Sequence, residues 1–310
     1  MTITSSWIGI DISKAWLDVA DSASGLPERI ANGEPALAEF ATTLRGRDVT
    51  VVFEATGCYD TGLRHALAAA GVASVRVNPQ RARDFARALG KLAKTDRIDA
   101  AMLAEMGRVL RLEADPQPDQ TLERLALLNK RRDQLVAMRQ QERARLAEVR
   151  DPAIAADLDR HLACLDQSIG LIETAICDLL ETSRPLARTQ ALIRSAPGVG
   201  PVTAAVLISL LPELGKRSNK QIAMLAGLAP VNQDSGARRG QRSIRGGRRR
   251  VRKALYMAAV STLRKNSPVL PFYTRLRDAG KPAKVALIAL ARKILIILNA
   301  MIRSQTPFKA

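Results

Sequence analysis

At Asp115-Pro116-Gln117-Pro118 the chain changes its hydrophobic period, and that change limits what it can fold into more than any other feature. Upstream, short apolar runs rich in β-branched residues recur: Trp7 to Ile12, Val49 to Phe53 and Ala73 to Val77. They alternate with stretches of helical length. Downstream, apolar residues recur at steps of three and four almost to the C-terminus. Neither a helix nor a central strand runs through two prolines two residues apart. The pattern predicts an α/β unit over residues 1–114 and a helical remainder.

Within the first region, Trp16 to Asp21 and Arg29 to Asn32 read as hairpin partners of the first strand, with Ser24-Gly25 marking a turn. Pro35 to Leu44 and Gly62 to Ala70 read as helices. Pro79 opens a third at the position that tolerates proline best. Thr95 is placed to cap a fourth, running to about Val109. The order is three strands, then strand and helix in alternation.

Residues 115–185 read as a pair of long helices. Gln120 to Val149 is polar throughout, and Asp151-Pro152 breaks it. The second helix carries Leu158, Leu162, Leu165, Ile169, Ile172, Ile176 and Leu179, whose alternating steps of four and three form a heptad seam. Both an antiparallel coiled-coil arm and an ordinary helical hairpin satisfy this pattern. Residues 186–310 read as a basic, mostly α region. Its most apolar stretch, Val285 to Ile302, is interrupted by Arg292 and Lys293, and is predicted to be a buried helix rather than a membrane span.

Composition narrows the function. Lys and Arg number 48 against 30 Asp and Glu, a formal charge of +18, which attracts polyanions: nucleic acid first, an anionic membrane second. Cys58, Cys164 and Cys177 are scattered and form no C-x-x-C pair, so neither zinc nor a disulfide framework is expected. The first residues have no basic segment followed by an apolar one, so no signal peptide is expected and the setting is read as cytoplasmic. The only histidines, His65 and His161, sit in no motif, which argues against a Ser-His-Asp triad.

Four acids stand out by placement. Asp11 lies inside the first apolar strand, where an unpaired carboxylate is costly. Glu54 directly follows the strand Val49 to Phe53. Asp96 and Asp99 are three apart on a helix and share a face. Taken singly, each has a plainer role as a strand-end acid, a turn acceptor, a helix cap or a solvated helix acid. Taken together, packed carboxylates need a divalent cation, and hard oxygen ligands suit Mg²⁺ or Mn²⁺. Such ions activate an attacking oxygen and stabilise a leaving oxygen at phosphate.

The strings GIDISK, FEATG and KTDRIDA, with GLAP and SG and the late ALARKILIILNAMI, resemble the DEDD transposases of the IS-one-ten insertion-sequence family, of the Piv/MooV type. The resemblance spans nearly the whole chain. It implies a ribonuclease H-like (RuvC-type) α/β domain over 1–114 with Asp11, Glu54, Asp96 and Asp99 as metal ligands. It further implies a coiled-coil oligomerisation arm over 115–185 and a helical transposase domain over 186–310. The family's nucleophilic serine falls on Ser235, and its preceding serine is Asp234 here. A homodimer or homotetramer acting on donor and target DNA, guided by a structured non-coding (bridge) RNA, is also implied.

Without the resemblance, Ser235 is a serine in a glycine- and arginine-rich loop, with Ser243 as a competitor. That loop holds Arg238, Arg239, Arg242, Arg245, Arg248 and Arg249, whose guanidinium forks suit backbone phosphates. Upstream, Ala196-Pro197-Gly198-Val199-Gly200-Pro201 reads either as a helix-hairpin-helix turn, with Gly198 and Gly200 presenting amides to phosphate, or as a tight interhelical turn. Two enzymatic readings follow: a recombinase in which Ser235 attacks DNA, and a metal-dependent junction nuclease in which water does.

Overall fold

The computed structural model describes residues 6–21, 27–90, 96–232, 242–264 and 266–309. The chain divides into two compact units, Met1–Asp119 and Gln120–Ala310.

The first unit runs β1 (Ser6–Ile12), β2 (Trp16–Asp21), β3 (Pro27–Ala31), α1 (Glu34–Thr43), β4 (Val49–Glu54), α2 (Thr61–Ala69), β5 (Ala73–Val77), α3 (Pro79–Ala88) and α4 (Asp96–Leu110). The strands form one sheet in the order β3-β2-β1-β4-β5. β1, β2 and β3 pair antiparallel, while β1, β4 and β5 pair parallel.

The period-2 alternation of the strands decides which side chains go where. Ile8, Ile10 and Ile12 of β1, with Val51 and Phe53 of β4, pack under α1 and α2 against Leu37, Phe40, Leu63 and Leu67. Trp7 and Val52 face the other way, into a core with Met102, Leu103 and Met106 of α4. Asp11 and Glu54 follow the second set in phase, so both carboxylates lie on the α4 face. The linker after α4 is pinned to β5: the Asp115 amide donates to the Ser74 carbonyl at 2.8 Å, and the Arg76 amide donates to Asp115 Oδ2 at 2.7 Å.

The second unit runs α5 (Gln120–Glu148), α6 (Pro152–Thr182), α7 (Arg184–Arg194), α8 (Pro201–Leu210), α9 (Asn219–Leu225), β6 (Pro230–Val231), β7 (Ser243–Ile244), α10 (Arg249–Ser261), α11 (Leu270–Asp278) and α12 (Ala283–Ser304). α5 and α6 form an antiparallel hairpin. Asp151 caps α6 by accepting from the amides of Ala153 and Ile154. Leu135 packs against Leu165 and Ile169, and Arg132 binds Glu173 at 2.6 Å.

The heptad seam is the inward face, but its base departs from a simple arm. Leu180, one step off the seam, is fully buried with Leu125 and Ile176 in the core shared with α8, α10 and α12. The apolar stripe widens there because the hairpin meets the C-terminal helices as well as itself, and the helical pair belongs to the second unit.

Among the described residues, α12 is the one helix long and apolar enough to cross a membrane. Here it is the centre of that core, with Leu290, Ile294, Leu295 and Leu298 buried. Asn299, also buried, accepts from the Gly215 amide at 2.8 Å and donates to the Arg217 carbonyl at 3.1 Å, which fixes the loop before α9.

Candidate active site

Asp11 is half-buried at the end of β1. Its neighbour in the parallel direction is the end of β4, where Ile10 registers with Phe53 and Glu54 comes next. α4 crosses the same face of β1. It does so at backbone contact, because Gly9 presents no side chain to Ala100 and Ala104. The first turn of α4 carries Asp96 and Asp99. Glu54, Asp96 and Asp99 are therefore near enough for their charges to act on Asp11. Asp11 is pushed up from the ordinary aspartate range to about 6, first by burial and then by the negative charges of Asp99, Asp96 and Glu54.

Sequence reasoning missed a fifth acid on this face. Asp18 registers opposite Asp11 and is buried. Both its oxygens are taken by Arg29, Nε to Oδ1 and Nη2 to Oδ2, each at 2.9 Å. The same guanidinium lies 3.7 Å from Asp96 Oδ2. Asp18 is thus bound by arginine through both oxygens, and Arg29 places one cation beside the quartet.

Asp60 and Arg76 were missed as well. Asp60, only 1% exposed, accepts from Arg76 Nε at 2.6 Å and from the Thr56 amide at 3.3 Å. The Ala55 amide donates to the Val77 carbonyl at 3.0 Å. Together these fix the backbone immediately after Glu54. The signal available in sequence was a lone acid following Glu54 by six positions, which spacing alone does not mark.

The donor set consists of hard carboxylate oxygens whose mutual repulsion a divalent cation relieves, so its chemistry fits Mg²⁺ or Mn²⁺. Among the described residues, no three His, Cys, Asp or Glu side chains converge to ligating distance around one point.

In the second unit, Ser235, Arg238 and Arg239 lie outside the described residues. The chain on either side of them is paired, Pro230 with Ile244 and Val231 with Ser243. Ser243, the competing serine, is thus an exposed strand residue. Arg242, Arg245 and Arg249 are exposed. Arg248 differs from them: it grips Glu213 with both terminal nitrogens, at 2.5 and 2.6 Å, and donates to the Leu210 carbonyl at 3.0 Å. Glu213 is held below the usual range by Arg248, against the upward pull of its burial.

Gly198 adopts φ 76°, and a Cβ there would meet the Ala258 carbonyl at 2.4 Å. The turn between α7 and α8 is therefore pressed onto α10. It borders an open depression with Arg194, Gly200, Ser261, Arg264 and Asn266.

Two family models match the chain. A DEDD transposase model of IS110 type matches residues 8–151, and the Transposase IS116/IS110/IS902 family model matches residues 190–274. The chain is similar to the pilin gene-inverting proteins of Moraxella bovis and Moraxella lacunata. Each is 29% identical over 99% of this chain and 98% of that protein. It is also similar to the insertion element IS116 uncharacterized 44.8 kDa protein of Streptomyces clavuligerus, 33% identical over 56% of this chain and 43% of that protein.

Proposed function

Because the chain belongs to the IS116/IS110/IS902 family of transposases and is a DNA transposase or recombinase, we propose that Asp11, Glu54, Asp96 and Asp99 form its metal-dependent strand-cutting site and that Ser235 is its nucleophile. The observation that carries this reading is the half-buried Asp11 on the α4 face of the sheet, its pKa raised to about 6 by burial and by the charges of Asp99, Asp96 and Glu54. The strand order β3-β2-β1-β4-β5, with its antiparallel and parallel halves, supports a ribonuclease H-like fold of RuvC type for residues 1–114.

Asp11, Glu54, Asp96 and Asp99 would hold Mg²⁺ or Mn²⁺. When bound, the ion supplies charge stabilisation at the phosphate oxygens. The chain's own residues do the rest. Ser235 Oγ forms a bond to phosphorus as the bridging P–O bond breaks. The displaced strand leaves as a hydroxyl end carrying the proton, and the protein stays joined to DNA until a second hydroxyl reverses the step. Arg238, Arg239, Arg242, Arg245 and Arg249 hold backbone phosphates, and the Gly198–Gly200 turn presents amides to one more in the manner of a helix-hairpin-helix. Arg248 holds the basic loop onto Glu213.

Residues 115–185 serve as the coiled-coil arm that assembles a homodimer or homotetramer. Leu127, Met138, Ile154 and Leu171, exposed on the hairpin, support that role. Donor and target DNA are the substrates. The guide RNA follows from the family resemblance, and the charge of +18 supports either polyanion. A cytoplasmic location, at the DNA, accompanies this reading.

The reading is tested by incubating the full-length protein with element-end DNA, the element's flanking transcript and Mg²⁺, then probing for a covalent protein–DNA adduct. The adduct is expected in the unaltered protein and absent in Ser235→Ala. Cleavage retained by Ser235→Ala without an adduct would make water the nucleophile.

A further inference from the structure

This chain is poor in aromatics, with 2 Trp, 3 Tyr and 5 Phe in 310 residues. All but two are buried or half-buried. The two exposed ones, Trp16 at 49% and Tyr59 at 42%, come from different segments yet flank the same end of the carboxylate site. Trp16 opens β2. By strand alternation it lies on the face of Asp18, whose opposite number is Asp11. Tyr59 lies in the turn that follows Glu54 and precedes the buried Asp60.

A single side chain ties the two segments together. Asn32 Nδ2 donates to the Ser13 carbonyl at 2.8 Å and to the Tyr59 carbonyl at 3.1 Å. The Asn32 amide donates to the Ala15 carbonyl at 2.8 Å. The β1–β2 turn is itself locked: Ser13 Oγ donates to the Trp16 carbonyl at 2.8 Å and accepts from the Trp16 amide at 3.0 Å. Exposed aromatics on a rigid frame, with Lys14 exposed in the turn just before Trp16, match what unstacked bases need: flat apolar surfaces and a cation for the backbone.

Resting on the carboxylate reading above, the geometry points to Trp16 and Tyr59 as a stacking platform for unpaired bases of the DNA strand whose phosphate enters the Asp11 site. Exchanging strands requires the bases beside the scissile phosphate to leave their old partners. A platform at the mouth of the site would hold them out of the helix while the phosphate is positioned. Because every base has a π-face, the platform is indifferent to sequence.

The test uses the full-length protein, without metal, titrated with an oligothymidylate of about 12 nucleotides while tryptophan emission is followed. Trp7, the other tryptophan, is buried, so a change reports Trp16. Quenching is expected on binding and is expected to vanish in Trp16→Phe. Trp16→Ala and Tyr59→Ala should each weaken binding about tenfold, while Tyr59→Phe should bind as the unaltered protein does. Absence of quenching, or quenching that persists in Trp16→Phe, overturns the platform. Tighter binding and deeper quenching by oligouridylate of equal length would assign the surface to RNA and also overturn it. The same titration on Asp11→Asn separates the two readings. Quenching there, with cleavage lost, supports both. Quenching with Asp11→Asn still cleaving sinks the carboxylate reading and leaves the platform standing.

Discussion

Gly9 and Ala100 are in backbone contact: a Cβ added to Gly9 would stand 1.9 Å from the Ala100 carbonyl oxygen and 2.5 Å from the Ala104 amide nitrogen. This contact lets α4 lie directly on β1 and sets the distance from Asp11 to Asp99. Gly9→Ala must therefore push the helix off the strand. The cost expected for such overpacking is about 3 kcal/mol, read by urea unfolding, together with loss of DNA cleavage. Gly33→Ala, where a Cβ meets nothing within 4 Å, is the control and should change neither by much.

The raised pKa of Asp11 gives a pH signature. The folded state holds that proton more tightly than the unfolded chain does. Stability contributed by this group is present at low pH and is lost as pH rises from the ordinary aspartate range through about 6. Asp11→Asn removes the penalty. Without divalent cation at pH 7.5 the variant should melt above the unaltered protein, and at pH 4 the two should converge. Added Mg²⁺ should raise the melting temperature of the unaltered protein more than that of the variant. A variant that melts lower at pH 7.5 would mean that Asp11 is not repelled by its neighbours.

Arg76→Ala leaves Asp60 buried without its charge partner, a change expected to cost about 3 kcal/mol. It also frees the turn that fixes Glu54. Mn²⁺ affinity should fall about tenfold, as it does when the residues orienting a ligand are lost. Arg76→Lys should recover part of both, measured by thermal melting and Mn²⁺ titration.

The arginines of the basic loop should separate into two groups. Arg248→Ala breaks the Glu213 clamp and should lower the melting temperature. Arg242→Ala, Arg245→Ala and Arg249→Ala remove exposed cations and should leave melting unchanged. Each of these three should reduce the dependence of log K on log salt by about 0.9, the value for one duplex phosphate contact. Equal effects of all four on the salt slope would remove the distinction.

The sequence made some of this structure readable and hid the rest for physical reasons. Local patterning placed Asp11 in the first strand, Glu54 at the end of a later one, and Asp96 and Asp99 three apart on a helix, and those elements formed there. The contact of Gly9 with Ala100 joins positions far apart in the chain, and a glycine within a strand announces no partner. Asp18 looked like an ordinary hairpin residue because its meaning depends on Arg29, a neighbour across a strand pair. The heptad seam located the α5–α6 hairpin but not its end. Leu180 is buried by helices that fold back from much later in the chain. The arginines of the basic loop looked alike in sequence, and only the position of Glu213 sets Arg248 apart.

The central claim is that four carboxylates from β1, β4 and α4 make one cation site. It is tested most directly by titrating the full-length protein with Mn²⁺ and following the free ion by electron paramagnetic resonance. The claim predicts saturable binding that Asp11→Asn, Glu54→Gln, Asp96→Asn and Asp99→Asn each weaken by about tenfold or more, without loss of fold by circular dichroism. Binding that is unchanged in all four variants, or absent from the unaltered protein, would contradict it.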